Sequence, residues 1–276
     1  MATSVHSPVF DTVILLTGPV EQSTLGALLR SHNPHLRVHP AATAADVDAL
    51  DPALLARARL VAFTTAVIVP SKVLNALGYG AYNFHPGPPE YPGWAPAHFA
   101  VYDHAPLFGA TAHVMVERVD SGPIVGVEWF AVPPGTTVYN LECLAYVALA
   151  RLYWLLAKHL ATECTPLPEI GAQWSGRKSS RRSYAEMCTI SPDISKEELD
   201  RRVRAFGGEY FGISHTVELH GHTFRLVKPE AESEPAVPLD QIASALLASA
   251  DQGEGRPSRR PDSRIFIAAP PAIRLD

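Results

Sequence analysis

The sequence predicts an α/β fold, an open and mostly parallel sheet followed by a small α+β module at the C-terminal end. Three observations predict it. Short apolar runs rich in β-branched residues recur before residue 86, each ending at Gly, Pro or a polar pair. Segments with helical spacing separate each run from the next. From about Thr165 the character changes to Pro, Gly, Ser and basic residues, and a separate helix-and-hairpin pattern follows.

The first strand is FDTVILLTG, closed by Gly18. QSTLGALLRSH follows with Leu25, Leu28 and Leu29 at helical spacing. LRVHPA reads as a second strand. AADVDALDPALLARA reads as one helix, acidic early and with Arg57 late, as the helix dipole favours. RLVAFTT is the third strand. Pro70 opens a short helix that stops at Gly78. GAYNFHP is the fourth strand, and APAHFAVYDH a further helix. GATAHVMVERVDSGPIVGVEWFAV alternates like two strands joined at DSGP, with Thr111, His113 and Met115 on one face. A long helix follows over 136–160, apolar on most of its circumference and expected to pack across the sheet.

The expected domain division is a catalytic domain over 8–165, a linker over 166–184, a helix–hairpin module over 185–229 and a partly flexible tail over 230–276. In the module, Ser195 with Glu198 three residues later marks a helix start. SHTVELHGHTFRLVKP reads as a hairpin turning at HGH.

Composition excludes several classes. Of 276 residues, 47% are hydrophobic and 18% charged, which is ordinary for a globular chain. A formal net charge of −5 leaves no electrostatic footprint for nucleic acid, although a local basic patch stays open. Cys143, Cys164 and Cys188 are scattered, with neither metal-ligand spacing nor a disulfide pattern, so no metal is expected. The N-terminus lacks a basic region before an apolar run. No uninterrupted apolar segment reaches the roughly 18 residues of a membrane helix, since Glu142, Arg151 and Lys158 punctuate the longest one. A cytoplasmic protein without membrane contact is therefore expected.

The chemistry concentrates in YNFHPGPPEYPGWAPAHF, residues 82–99, with five prolines directly after the fourth strand. In an open α/β sheet the cleft lies beyond the carboxyl ends of the strands. Asn83 and His85 are two apart there, so both face one side and Phe84 faces the core. Pro86 ends the strand and holds the pair at the rim. Asp120 lies at the later DSGP turn. If the three converge, Asn83 can donate an amide hydrogen bond, His85 can donate a proton or steady an oxyanion, and Asp120 can accept a proton or fix the charge of His85. No Ser or Cys nucleophile is placed beside them, so the trio suits direct acyl-type transfer between two bound substrates. Taken locally, a His after a strand is ordinarily a packing residue and an Asp before Ser-Gly-Pro an ordinary turn former.

NFHPGPPEYPGWAP followed by GATAHVMVERVDSGPIV resembles the folate-dependent formyltransferase family, which includes methionyl-tRNA, glycinamide ribonucleotide and sugar-nucleotide N-formyltransferases. The elements Asn83, His85, Pro86, Tyr91, Gly93, Gly109, Thr111, His113, Asp120 and Gly122 occur in family order. The resemblance covers about residues 10 to 160 and implies a Rossmann-like formyltransferase sheet. It implies 10-formyltetrahydrofolate as donor, with an amine acceptor attacking the formyl carbon. Asn83 and a protonated His85 would steady the oxyanion, and Asp120 would keep His85 charged and help move the proton. It further implies a pterin pocket at Thr65, Ala66, Val67, Ile68, Val69, Leu77, Val116 and Val119, and acceptor contacts at Gly87, Tyr91, Trp94 and His113. Where the family usually has Ser, an apolar residue and Leu-Pro after His-Pro, this chain has Gly87, Pro88, Pro89 and Glu90, on the side that touches the acceptor.

The expected activity is formyl transfer to a small amine. Methionyl-tRNA formyltransferase-like activity and 10-formyltetrahydrofolate hydrolysis are the alternatives, and a homo-oligomer is left open. ELDRRVRAFGGEYFG resembles the helix that starts the C-terminal domain of methionyl-tRNA and sugar formyltransferases. The basic run at Arg177, Lys178, Arg181 and Arg182 reads as a solvated linker or as a phosphate clamp. Trp174, like Trp94, reads as a packing residue or as a surface on which a base or sugar stacks.

Overall fold

A computed structural model describes residues 9–208 and 210–227. The expected tail at 230–276 lies outside the described residues. Among the described residues nine strands and eight α-helices run in the order β1 (Thr12–Leu16), α1 (Pro19–His32), β2 (Arg37–Ala41), α2 (Ala44–Asp48), α3 (Pro52–Leu55), β3 (Ala58–Phe63), α4 (Ser71–Ala76), β4 (Ala81–His85), α5 (Pro96–Tyr102), β5 (Leu107–Val114), β6 (Ile124–Ala131), α6 (Val138–Thr162), α7 (Arg181–Cys188), β7 (Thr189–Ile190), α8 (Lys196–Phe206), β8 (Thr216–Leu219) and β9 (His222–Arg225).

The main sheet has the order β2-β1-β3-β4-β5-β6. Its first four strands are parallel, and β5 and β6 continue it antiparallel. Side-chain alternation divides the buried residues between two faces. Val13, Leu15, Val61, Phe63, Tyr82 and Phe84 pack toward α1 and α6. Ile14, Leu16, Leu60, Ala62 and Ala81 pack on the other face with Val47, Leu55 and Val73 of α2, α3 and α4. Asn83 and His85 belong to that second face and extend past the end of its packed core.

The single helix expected over 44–58 is two short ones. Thr43 caps α2 in a reciprocal pair with Asp46, and Asp51 caps α3, with Pro52 in its first turn. Proline cannot continue a preceding helix, so the chain restarts there. On length and composition α6 could cross a membrane, with a window of mean hydropathy 1.2. It nevertheless contributes Leu149, Leu152, Tyr153, Leu156 and Leu160 to the sheet core, with Trp154 and Leu155 exposed. Its C-terminal end is held by a fully buried Arg59, whose guanidinium donates to the carbonyls of Tyr79, His159, Leu160, Glu163 and Thr165 at 2.9–3.2 Å.

Helix α7 begins at Arg181, inside the segment expected to be linker, because Ser180 and Ser183 form a capping pair. In α8 Ser195 caps the Glu198 N–H as expected, while the Glu198 carboxylate accepts from Tyr102 and Arg202 instead of closing a capping box. The expected hairpin is β8–β9, extended by β7 into a three-stranded sheet. A third core joins α5 and the start of α6 to α7 and α8, through Ala97, Val101, Leu141, Tyr184 and Phe206.

Candidate active site

Strand β4 ends by presenting Asn83, half-buried, and His85, buried, on one face, with Phe84 buried on the other. In the β4–β5 register Asn83 lies opposite His113, and His85 opposite Thr111. Thr111 donates to the carbonyl of Gly87 at 2.8 Å, folding the proline-rich loop back over the strand end. Gly87 is required there, since a Cβ would lie 2.7 Å from His85 Nε2 and 2.8 Å from Pro96 Cβ. The imidazole instead places Nε2 3.1 Å from the Tyr91 carbonyl oxygen. A carbonyl only accepts, so Nε2 carries the proton and Nδ1 faces Asp120 Oδ2 at 3.7 Å.

Asp120 arrives on the β5–β6 connection with a left-handed backbone, φ 44°. The Gly93 N–H donates to its Oδ2 at 2.8 Å. Its Oδ1 lies 3.2 Å from His113 Nε2, which is also 3.1 Å from Asn83 Nδ2. His113 Nδ1 donates to the Val114 carbonyl at 2.9 Å. In the neutral ring Nε2 is then an acceptor, satisfied by the Asn83 amide, and cannot also donate to Asp120. Asp120 Oδ1 is therefore a buried carboxylate oxygen with no donor of its own among the described residues.

Burial pushes the Asp120 carboxyl upward; a His113 ring donating to it, positive charge on the two imidazoles and the Gly93 N–H oppose this, and only with all of them acting does it fall to about 2. Burial holds the His85 imidazole below its ordinary range, with Asp120 and the Tyr91 carbonyl opposing. His85 thus favours its neutral form near pH 7. Loss of hydration opposes the expected charging of His85 by Asp120, whose carboxylate lies 3.7 Å away.

Beside the cluster lies a cavity of about 60 Å³ lined by Thr65, Val67, Ile68, Val69, Asn83, His113, Met115 and the loop 116–120. Of the residues expected to form a pterin pocket, Thr65, Val67, Ile68, Val69, Val116 and Val119 line it. Ala66 does not and is exposed, while Leu77 is turned against the α2–α4 core. Of the expected acceptor contacts, His113 joins the Asn83–Asp120 cluster and Gly87 lies buried beneath His85. Tyr91 holds His85 through its carbonyl and directs its hydroxyl to Asp103 at 3.2 Å. Trp94 packs on Tyr184 and Phe211 at 5.2 and 4.1 Å, toward the C-terminal module.

One residue of the cavity was missed, and Trp174, expected to pack or to stack a base or sugar, packs against the site's imidazoles. Met115 lines the cavity, and its alternation with Thr111 and His113 was a usable signal. Trp174 stands edge-on to His113 at 5.1 Å and to His85 at 6.1 Å, with its indole N–H donated to the Gly122 carbonyl. It comes from the segment read as linker, and no local pattern marks it. That segment is a strap: Ser175 bonds to Pro89 and Glu90, and Ser179 to Pro92 and Trp94.

Residues 30–144 match the family model described as formyl transferase. A curated methionyl-tRNA formyltransferase from Enterococcus faecalis is 29% identical over 132 residues, 47% of this chain and 38% of that protein. The match thus spans well under two thirds of that relative's length. A sugar N-formyltransferase from Shewanella sp. superposes with a TM-score of 0.63 at 18% identity, covering 80% of this chain and 98% of that one. An N-formyltransferase from Helicobacter canadensis, solved with folinic acid and dTDP-3-aminofucose, superposes at 0.54 and 13% identity, covering 77% and 85%. At such identities the two structures establish a shared fold.

Proposed function

We propose that this chain, whose residues 30–144 match the formyl transferase family model, transfers a formyl group from 10-formyltetrahydrofolate to the amine of a small acceptor. One observation carries the reading: Asn83, His85, His113 and Asp120, from β4, β5 and the following loop, meet around a buried carboxylate oxygen that lacks a donor. An amine is a donor of the kind Asp120 Oδ1 lacks. The folate derivative in the Helicobacter canadensis complex supports the choice of donor.

The residues around the cavity suit a flat heterocycle, since Val67, Ile68, Val69 and Met115 offer apolar walls beside the polar cluster. The donor, when bound, supplies an activated formyl carbon. Asn83 directs its amide N–H at the oxygen on which charge develops as the amine adds. Asp120 accepts a hydrogen bond from the attacking amine through Oδ1. Imidazole is the stronger base of the pair, so the proton passes to the free Nδ1 of His85. Asp120 then stabilises the imidazolium, and His85 returns the proton to the departing nitrogen. Trp174 and the strap exclude water from the two imidazoles.

The deciding experiment is calorimetric titration with 5-formyltetrahydrofolate, a stable donor analogue, followed by product analysis. Micromolar binding together with formylated product supports the reading. Formate release without an acceptor would make the chain a hydrolase of the same donor. No binding to folded protein would remove the donor assignment.

A further inference from the structure

His85 and Asp120 arrive on separate connections, and the strap over 174–179 fastens one connection to the other. Its first grip is on the proline-rich loop that serves His85. Ser175 donates through its N–H to the Pro89 carbonyl at 3.0 Å and through its hydroxyl to the Glu90 carbonyl at 2.9 Å. The Ser179 N–H donates to the Pro92 carbonyl at 3.0 Å, and the Ser179 carbonyl accepts from the Trp94 N–H at 3.1 Å. Between these anchors the same loop offers the Tyr91 carbonyl to His85 and the Gly93 N–H to Asp120 Oδ2.

The second grip is on the loop that carries Asp120. The Trp174 indole N–H donates to the Gly122 carbonyl at 2.8 Å, and Lys178 Nζ donates to the Val119 carbonyl at 2.5 Å. These two carbonyls flank Asp120. The Val119 carbonyl lies in the peptide plane from which the φ of Asp120 turns, so Lys178 fixes one side of a torsion held at 44°. On the other side Gly122 is pressed against β5, where a Cβ would lie 2.0 Å from the Val114 carbonyl oxygen. Residues 116–119 are exposed, so core packing does not hold this loop. Ser121 donating to the Arg118 carbonyl stays within it. A left-handed aspartate persists only where its surroundings over-determine it, and the strap supplies that determination from outside the loop.

We propose that Trp174 and Lys178 are positioning residues, which hold the backbone on either side of Asp120 so that its carboxylate stays on the Gly93 N–H and against the two imidazoles. Neither acts on substrate directly. The consequence for catalysis rests on the transferase reading, whereas the geometric claim stands without it.

The test is amide hydrogen exchange, followed by NMR, on the full ligand-free chain. Two neighbouring amides separate the alternatives. The Gly93 N–H reports its bond to Asp120, and the Trp94 N–H reports the attachment of the strap at Ser179. In Trp174→Phe and in Lys178→Met, Gly93 should exchange about tenfold faster than in the parent while Trp94 is unchanged, as loss of one hydrogen bond to a charged group implies. Lys178→Arg should restore the parent rate, because a guanidinium can still donate to the Val119 carbonyl. Arg182→Ala should exchange as the parent does, since Arg182 is paired with Glu186. Unchanged Gly93 exchange in both variants would overturn the inference. Equal acceleration at Gly93 and Trp94 would also overturn it, because the two side chains would then only fasten the strap. In formyl-transfer assays Trp174→Phe and Lys178→Met should be slower by about tenfold or more, with Lys178→Arg recovered. Full activity in a variant with accelerated Gly93 exchange would overturn the catalytic consequence. Titration of the same samples with 5-formyltetrahydrofolate judges the transferase reading independently.

Discussion

Asp120 combines a left-handed backbone, a buried side chain and one carboxylate oxygen without a donor. A non-glycine residue at φ 44° is uncommon and is held only where the surroundings over-determine it. Here the Gly93 N–H and the two imidazoles do so. Asp120→Asn keeps the shape but turns an acceptor oxygen into a possible donor, and it removes the charge that stabilises an imidazolium at His85. Asn83→Ala removes the only side-chain amide aimed at the reacting centre among the described residues. Each change should lower formyl transfer by a factor of about 10² or more, the range for one oxyanion donor or its equivalent. Circular dichroism would check that the fold is kept, and near-full activity in a folded variant would remove that residue from the mechanism. A second prediction separates two mechanisms. If His85 acts as a neutral base, transfer falls as pH drops through its depressed pKa, below 6.5, and the NMR titration of His85 has its midpoint there. A histidine that acts while charged gives the opposite slope, with activity lost as pH rises.

At the scale of elements, the strand pattern was legible in the sequence because the first four strands obey the two-residue period on both faces of one sheet. Asn83 and His85 could be placed on one side of β4 for that reason. What was not legible depends on distant partners. Arg59 lies in a strand sequence, RLVAFTT, where an arginine has no obvious use. Its five carbonyl acceptors come from Tyr79 and from residues 159–165, about a hundred positions away. Arg59→Met keeps the bulk but leaves the end of α6 without its donors. Each buried unsatisfied carbonyl costs about 1–3 kcal/mol, so the variant should lose about 3 kcal/mol or more after partial rehydration. Urea denaturation followed by tryptophan fluorescence measures this, and an unchanged midpoint would mean that α6 is capped by other means. The strap was equally hidden. Its Ser, Gly and basic residues read as solvated, and only the fold brings Ser179 against Gly93. At φ 97°, with a potential Cβ 2.2 Å from the Ser179 carbonyl oxygen, Gly93 is the one residue type that lets the strap close. Gly93→Ala should free the strap and leave Trp174 more exposed, seen as a red shift in its fluorescence.

For the molecule as a whole, the catalytic sheet and the C-terminal module meet through a core that holds a histidine at a cost. His98 on α5 is fully buried, and among the described residues neither ring nitrogen has a hydrogen-bond partner. The rings of Tyr184, Phe206, Tyr210 and Phe211 surround it, from α7, α8 and the turn that follows. Among the described residues the carboxylate facing it is Glu142 of α6, at 3.9 Å and itself raised by burial. Burial pushes the His98 imidazole down to about 4. The folded state therefore prefers the neutral ring, while the unfolded chain takes up a proton near 6.5. Stability from this site is complete above pH 6.5 and is lost progressively as pH falls toward 4, by at most about 3 kcal/mol. The loss falls on the junction between sheet and module, because α5, α7 and α8 all contribute to the histidine's surroundings. Urea midpoints for the parent chain should drop between pH 7 and pH 5, and His98→Phe, which fills the same aromatic pocket without a titrating group, should lose most of that drop. Parallel pH profiles in the two proteins would assign the acid sensitivity to another group, and the buried His85 would be the next to replace.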